Sequence, residues 1–229
     1  MATRFYLPSS GAAAVNPAFA TGWEQQTGAD RIACVTTKIS SILTNEVSGS
    51  NIGVGDILVR QYVSAAISAQ TITGTVKGIV RALESNASAD HCNQCIIRVV
   101  SNDGGTFRSP NLVDFNSGAL SAEHVAGILT NRKLPRDWSG AGQSVNSVVA
   151  SADDRIVIEI GVFATLAGEE NETSIFSFGD NAASDCAENE TATNAFNPWI
   201  EFSADLFGPP DLDIETTYVL EKMRTGVVV

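Results

Sequence analysis

The chain has 229 residues, 44% of them hydrophobic, and a formal net charge of −12 at pH 7. That length suits one large domain or one domain with an extension, and the apolar fraction is enough for a substantial core. The negative charge argues against direct binding of DNA or RNA, which needs cationic side chains to displace phosphate counterions. No apolar run approaches the ~20 residues that span a bilayer, so no membrane contact is expected. The N-terminal stretch MATRFYLPSSGAAAVNP carries a single Arg and no apolar h-region, and does not read as a secretory signal. Folding in a cytoplasm is the expectation.

In chain order, TRFYLP (3–8) reads as a short opening strand closed by Pro8. SSGAAAVNPAFATGW has loop composition. RIACVTTKISSIL (31–43) is β-branched and alternates well enough for one long or two short strands, and NEVSGSNIGVG reads as a turn region. DILVRQYVSA (56–65) is another strand.

In SAQTITGTVKGIVRALES, the residues Ile72, Gly74, Val76, Gly78, Val80 and Ala82 fall on one face. That is period 2, which a helix does not produce. The two glycines on the inward face predict close approach of another backbone or a bulge. CIIRVVSNDG (95–104) is a strand ending in a turn, and GTFRSPNLVDF a Pro-limited edge strand. LSAEHVAGILTNRKL (120–134) is the one helix candidate, with Leu120, Val125, Ile128 and Leu129 as a rough apolar stripe. DRIVIEIGVFAT (154–165) places Ile156, Ile158, Ile160 and Val162 on one face, and TSIFSFG and NPWIEFS complete the strands. The set predicts an all-β, jelly-roll-like antiparallel sandwich over residues 1–203, with long loops and at most one short helix. Residues 204–229, which contain a Gly-Pro-Pro hinge at 208–210, read as an extended C-terminal arm that should pack on its own domain or on a neighbour.

Charge is unevenly placed. Residues 1–168 carry 12 basic and 13 acidic side chains, whereas residues 169–215 carry 12 acidic and no basic ones. Within that stretch Asp180, Asn181, Asp185 and Glu188 offer the oxygens that Ca²⁺ prefers, though without D-x-D-x-D-G spacing. An exposed or partner-facing connection fits better.

His91, Cys92 and Cys95, in DHCNQC, offer a weak Zn²⁺ site: two thiolates on a tight turn can share one tetrahedral edge. A second pair of ligands is missing, and entry of Cys95 into the core is the plainer expectation. The four cysteines are too scattered for a disulfide framework. Only two histidines occur, His91 and His124, with no H-E-x-x-H, G-x-S-x-G or P-loop motif. No catalytic or cofactor-binding residue is assigned. Trp23 and Trp138 are candidates for stacking on a sugar, while Trp199, beside a strand, is expected to pack.

The succession RFYLPSSGAAAVNPAFATGWE, ILVRQYVSAAISAQTITGTVKGIVRALESNASADHC, IIRVVSNDGGTFR, DRIVIEIG, SFGDNAASD and NPWIEFS resembles a group of proteins encoded by tailed bacteriophages and marine viruses and regarded as virion structural proteins. The resemblance covers residues 1–203 and brings no catalytic motif; CNQC and the segment after Ser203 lie outside it. It implies a jelly-roll particle component, like a carbohydrate-binding module in shape, on the head exterior as capsid decoration or in the tail. Its implied partners are other virion proteins and copies of itself, with a glycan as the alternative, and its implied location is the virion after synthesis in the host cytoplasm.

Overall fold

In a computed structural model of the chain, residues 1–26, 31–38, 44–47 (backbone only), 55–114, 121–164, 172–179, 184–191 and 196–208 are described. They form fifteen strands and no helix: β1 (Thr3–Tyr6), β2 (Gln25–Gln26), β3 (Arg31–Ala33), β4 (Thr44–Val47), β5 (Gly55–Ala66), β6 (Gln70–Ile72), β7 (Thr75–Glu84), β8 (His91–Val100), β9 (Phe107–Val113), β10 (Thr130–Leu134), β11 (Gln143–Ser144), β12 (Val148–Ala150), β13 (Arg155–Ala164), β14 (Ser174–Phe178) and β15 (Trp199–Phe202).

The long strands sort into two sheets. In the first, β7 is central. β15 and then β14 lie end to end along one side of it, with β1 outside β15 and β4 outside β14; β11 and β10 lie along its other side. In the second, the order is β5-β13-β8-β9, with the short β2 and β3 both parallel to β5. With β14 and β15 counted as one interrupted strand, the eight principal strands alternate between sheets in jelly-roll order: first, eighth, third and sixth in one sheet, second, seventh, fourth and fifth in the other. A separate ribbon pairs β6 with β12.

Alternation builds the core between the sheets. Ile156, Ile158, Ile160 and Val162 of β13 and Val76, Val80 and Ala82 of β7 are all fully buried there, as their spacing predicts. Gly78, on the same face of β7, is where β15 comes close: a Cβ built on it would lie 2.4 Å from Ile200 Cγ1 and 2.7 Å from the Trp199 carbonyl. The expected edge strand is β9, which among the described strands pairs with β8 alone and shifts register around Pro110.

Each sheet also carries a roof on its outer face. The N-terminal loop covers the second sheet through Trp23, Leu58 and Ile96, with Phe19 and Ala20 packed against them. Residues 184–198, of which 192–195 are not described, cover the first sheet through Ile79, Trp138, Cys186 and Trp199.

Two expectations change. The helix over 120–134 is absent among the described residues: 121–129 form an irregular crossover and Thr130–Leu134 become β10. Gly127 adopts φ +67°, which interrupts any α-helical run, and Val125 and Ile128 of the supposed apolar stripe are 37% and 52% exposed. Thr44–Val47, partly inside the expected turn region, is an edge strand on β14. Residues 204–208, the first of the arm, pack on the body, one of the two placements expected for it: Leu206 is fully buried in the core and its N–H donates to Thr3 Oγ1 at 2.8 Å. Residues 209–229 lie outside the described residues.

Candidate functional site

The acidic stretch is answered by the chain's own cations. Asp185 meets Arg4 Nη1 at 2.7 Å and Lys38 Nζ at 2.7 Å. Glu188 meets Lys77 at 2.6 Å, Glu201 meets Arg4 at 2.8 Å, and Glu190 meets Arg132 at 3.6 Å. The Asp185, Glu188 and Glu190 pairs fasten the 184–191 roof to the body, and the Arg4–Glu201 pair links β1 to β15, where Arg4 also stacks on Trp199, 4.0 Å from the ring centroid. Asp185 and Glu188 are therefore ion-paired within the chain, engaged by its own cations rather than free for Ca²⁺, while Glu188 stays 41% exposed, in line with the exposed reading of this connection. Asp180 and Asn181 lie outside the described residues.

The two tryptophans proposed for sugar stacking are also committed. Trp23 is 7% exposed and donates from Nε1 to Glu159 at 2.8 Å. Trp138 is 8% exposed and donates to the Gly78 carbonyl at 3.3 Å. Neither presents a ring face to solvent, so the expected platform is absent from these positions. Trp199 packs as expected, 1% exposed.

The Glu159 contact is part of a buried polar clamp on the outer face of the second sheet. Glu159, fully buried, accepts from Arg98 Nη2 at 2.8 Å, Gln61 Nε2 at 2.8 Å, Trp23 Nε1 and the Ala20 N–H at 3.1 Å. Arg98 also donates to the Ala18 carbonyl. The carboxylate so pins the N-terminal roof to strand β13.

The zinc candidates do not converge. All ten residues of β8 are buried, and three-residue spacing on a strand sends Cys92 and Cys95 to opposite faces. Cys95 enters the core between the sheets, as expected, and burial pushes its thiol well up from its ordinary value. Burial, then the negative charges of Glu123, Glu84 and Asp90, push Cys92 up to about 11. Neither thiol is poised to form a thiolate. Among the described residues no three His, Cys, Asp or Glu side chains are grouped to hold a metal ion.

His91 belongs instead to a constellation that spacing alone did not reveal. β14 opens with Ser174, and both histidines of the chain turn to its hydroxyl: His91 Nδ1 lies 2.9 Å and His124 Nδ1 3.0 Å from Ser174 Oγ. His124 comes from the 121–129 crossover, whose backbone is tied down by His124 N–H to the His91 carbonyl at 2.8 Å, Glu84 N–H to the Val125 carbonyl at 3.3 Å and Gly127 N–H to the Glu84 carbonyl at 2.9 Å. Asn93, two residues along β8 from His91, places Oδ1 2.9 Å from His124 Nε2. Its Nδ2 donates to the Lys133 carbonyl at 3.0 Å, which fixes the amide orientation.

That orientation sets the protons. Asn93 Oδ1 accepts, so His124 Nε2 carries a hydrogen and its Nδ1 accepts from the Ser174 hydroxyl. His91 Nδ1–H then donates to a lone pair of the Ser174 hydroxyl, whose one hydrogen is already given to His124. Desolvation pulls both imidazoles toward neutrality: His91 is lowered by burial against the opposing charges of Glu172 and Asp90, and His124 is lowered to about 3 by burial, then by Arg132 and His91. Glu84, which accepts from the His91 N–H at 3.2 Å, is raised to about 7, chiefly by burial and further by Glu123 and Asp90.

A serine hydrogen-bonded to a histidine that a third group orients is the bonding pattern of an activated nucleophile. Here it is sealed. Ser174 is 0%, His91 1%, His124 2% and Asn93 0% exposed. An apolar depression of about 340 Å³, lined by Phe5, Cys34, Val35, Thr36, Thr37, Ala65 and Phe207, shares no residue with it.

Comparison with known proteins places few constraints on this picture. No family model matches the chain, and no curated protein matches it. Among solved structures, an aminopeptidase from a marine-sediment Thaumarchaeota archaeon aligns with 88% of this chain and 36% of its own length, at 10% identity and a TM-score of 0.42. A CocE/NonD family hydrolase from Staphylococcus aureus aligns with 88% of this chain and 34% of its own, at 14% identity and a TM-score of 0.32. The infectious bursal disease virus Gx strain structure aligns with 93% of this chain and 54% of its own, at 12% identity and a TM-score of 0.28. The chain thus spans about a third to a half of the structures it matches, and likenesses at this level carry nothing about activity.

Proposed function

We propose that this chain is a non-enzymatic structural component of a virus particle, of the tailed-bacteriophage kind that its sequence resembles, acting through contacts with copies of itself and with other particle proteins. The observation that carries the reading is the sealing of the Ser174 cluster: the side chains best suited to nucleophilic chemistry are spent in joining the two sheets, out of reach of a substrate. The jelly-roll order of strands is compatible with it, since capsid and lectin domains both use that architecture. The lectin-like alternative loses its support at Trp23 and Trp138, both buried.

The test begins with purified particles. The chain should be detected in them by mass spectrometry at a defined copy number, and its absence would sink the proposal. Light scattering on the purified chain, beside a version ending at Gly208, then asks whether residues 209–229 contribute to self-association: a defined oligomer that dissociates on truncation supports assembly through that segment. Ester or peptide hydrolysis by the purified chain, lost in Ser174→Ala, would revive an enzyme.

A further inference from the structure

We propose that the His91–Ser174–His124–Asn93 chain is an acid-operated latch, which holds the 121–129 crossover and the start of β14 against β8 near neutral pH and releases them on acidification. The case rests on the direction of its hydrogen bonds. His91 Nδ1–H donates to Ser174, Ser174 donates to His124 Nδ1, and His124 Nε2–H donates to Asn93, whose amide is held by the Lys133 carbonyl. The sequence runs one way from β8 through β14 and the crossover back to β8 and β10, so it ties both sheets together at one end of the sandwich.

The two imidazoles respond differently to a proton. His91 can take one on Nε2 and still donate from Nδ1, which leaves the chain intact. His124 can take one only on Nδ1, the atom that accepts from Ser174. That proton turns an acceptor into a donor facing the serine, and it places a cation 5.4 Å from the Phe176 ring centroid in a fully buried site beside Arg132. The bond between crossover and β14 is lost at that step. Release frees backbone that already carries two exposed apolar side chains, Val125 and Ile128.

The surrounding charges decide the steepness. From β7, Glu84 faces the cluster; from the crossover, Glu123; from the turn before β8, Asp90; from the non-strand residues just before β14, Glu172; from β10, Arg132; and from β8 the Cys92 thiol, which stays protonated throughout. Below the ordinary histidine value of 6.5, the released form takes up a proton on His124 that the latched form excludes down to about 3, and His91, lowered by burial, adds to that uptake. Glu84 works the other way between about 7 and its ordinary 4.5, because the latched form holds its proton and the released form lets it go. The two oppose each other between 6.5 and 4.5; from 4.5 down to about 3, where Glu84 is neutral in both forms, release takes up the His124 proton, so the released population should grow by about tenfold per pH unit there.

Native-state amide hydrogen exchange on the full chain, corrected for intrinsic rates, reads this directly. Amides of His124, Glu84 and Gly127 should lose protection by about tenfold per unit between pH 4.5 and 3, while those of the central strand β13 hold theirs. In His124→Gln, which keeps an acceptor for Ser174 and a donor for Asn93 but cannot titrate, the slope should flatten or reverse. An unchanged slope in that variant, or pH-independent protection in the parent, would overturn the latch. Should the variant fail to fold, long-range ¹H–¹⁵N spectra of the parent decide the matter. They should show the Nε2–H tautomer at His124 and the Nδ1–H tautomer at His91 at pH 7, and the opposite tautomer at His124 would refute the proposal.

Discussion

Glu159 and Glu84 show two fates of a buried carboxylate. Glu159 gathers four donors, among them the Arg98 guanidinium, and its charge is an anchor for the N-terminal roof. Breaking such a group from one side leaves the other charge buried and unpaired. Glu159→Ala is therefore expected to lower unfolding stability by about 3–5 kcal/mol in urea titration, with Trp23 fluorescence shifting to the red as its indole loses both partner and cover. Glu84 sits where burial and its neighbours Glu123 and Asp90 disfavour its charge, and its value rises to about 7. A raised folded value means that the stabilisation is fully present below the unfolded value of 4.5 and is lost as pH rises through about 7. Glu84→Gln, which keeps the acceptor for the His91 N–H, should be more stable than the parent by about 1–2 kcal/mol at pH 8 and indistinguishable from it near pH 4.5 in thermal melts. A variant that is less stable at pH 8 would contradict that assignment.

At the scale of elements, β7 is the strand on which the first sheet depends: it pairs with β10, β11, β14 and β15. Its alternation was plain in the sequence, and the glycine at position 78 was already a sign of close approach. The structure identifies what approaches. Gly78→Ala would set a methyl against Ile200 and the Trp199 carbonyl, and the second of these is backbone that cannot rotate away. The expected cost is about 1–3 kcal/mol, read as a fall in denaturation midpoint without change of slope. The 121–129 crossover is the opposite case. Its rough 3.6-residue pattern suggested a helix, yet the left-handed Gly127 and the pull of two histidines and a serine shape it as an irregular connection. The single His124 in E-H-V-A-G gave no hint of this, because its partners come from 31 and 50 residues away.

For the molecule as a whole, the jelly roll closes by bringing its ends together. The Thr3 N–H donates to the Ala204 carbonyl, Leu206 returns to Thr3, and Ser68 donates to the Gly208 carbonyl. A chain cut after Ser203 loses Leu206 from the core, whereas one cut after Gly208 keeps it. The shorter version should be less stable than the longer by about 2–5 kcal/mol, the range for removing a buried leucine; equal stability would show that the residues after Ser203 contribute nothing to the body.

Read alone, the amino-acid order determined the strands of the core, the all-β sandwich and the burial of Cys95, Trp199 and the β13 isoleucines. Period-2 alternation is a local property, and apolar burial rewards it wherever the strand ends up. Tertiary structure alone decided which polar groups meet. The acidic 184–191 roof finds Arg4, Lys38, Lys77 and Arg132, distant in sequence, and so becomes a fastening instead of an open face. The histidines separated by 33 positions meet on one serine. Such encounters depend on the order and register in which strands pair, and a side chain's charge or hydroxyl does not encode its partner.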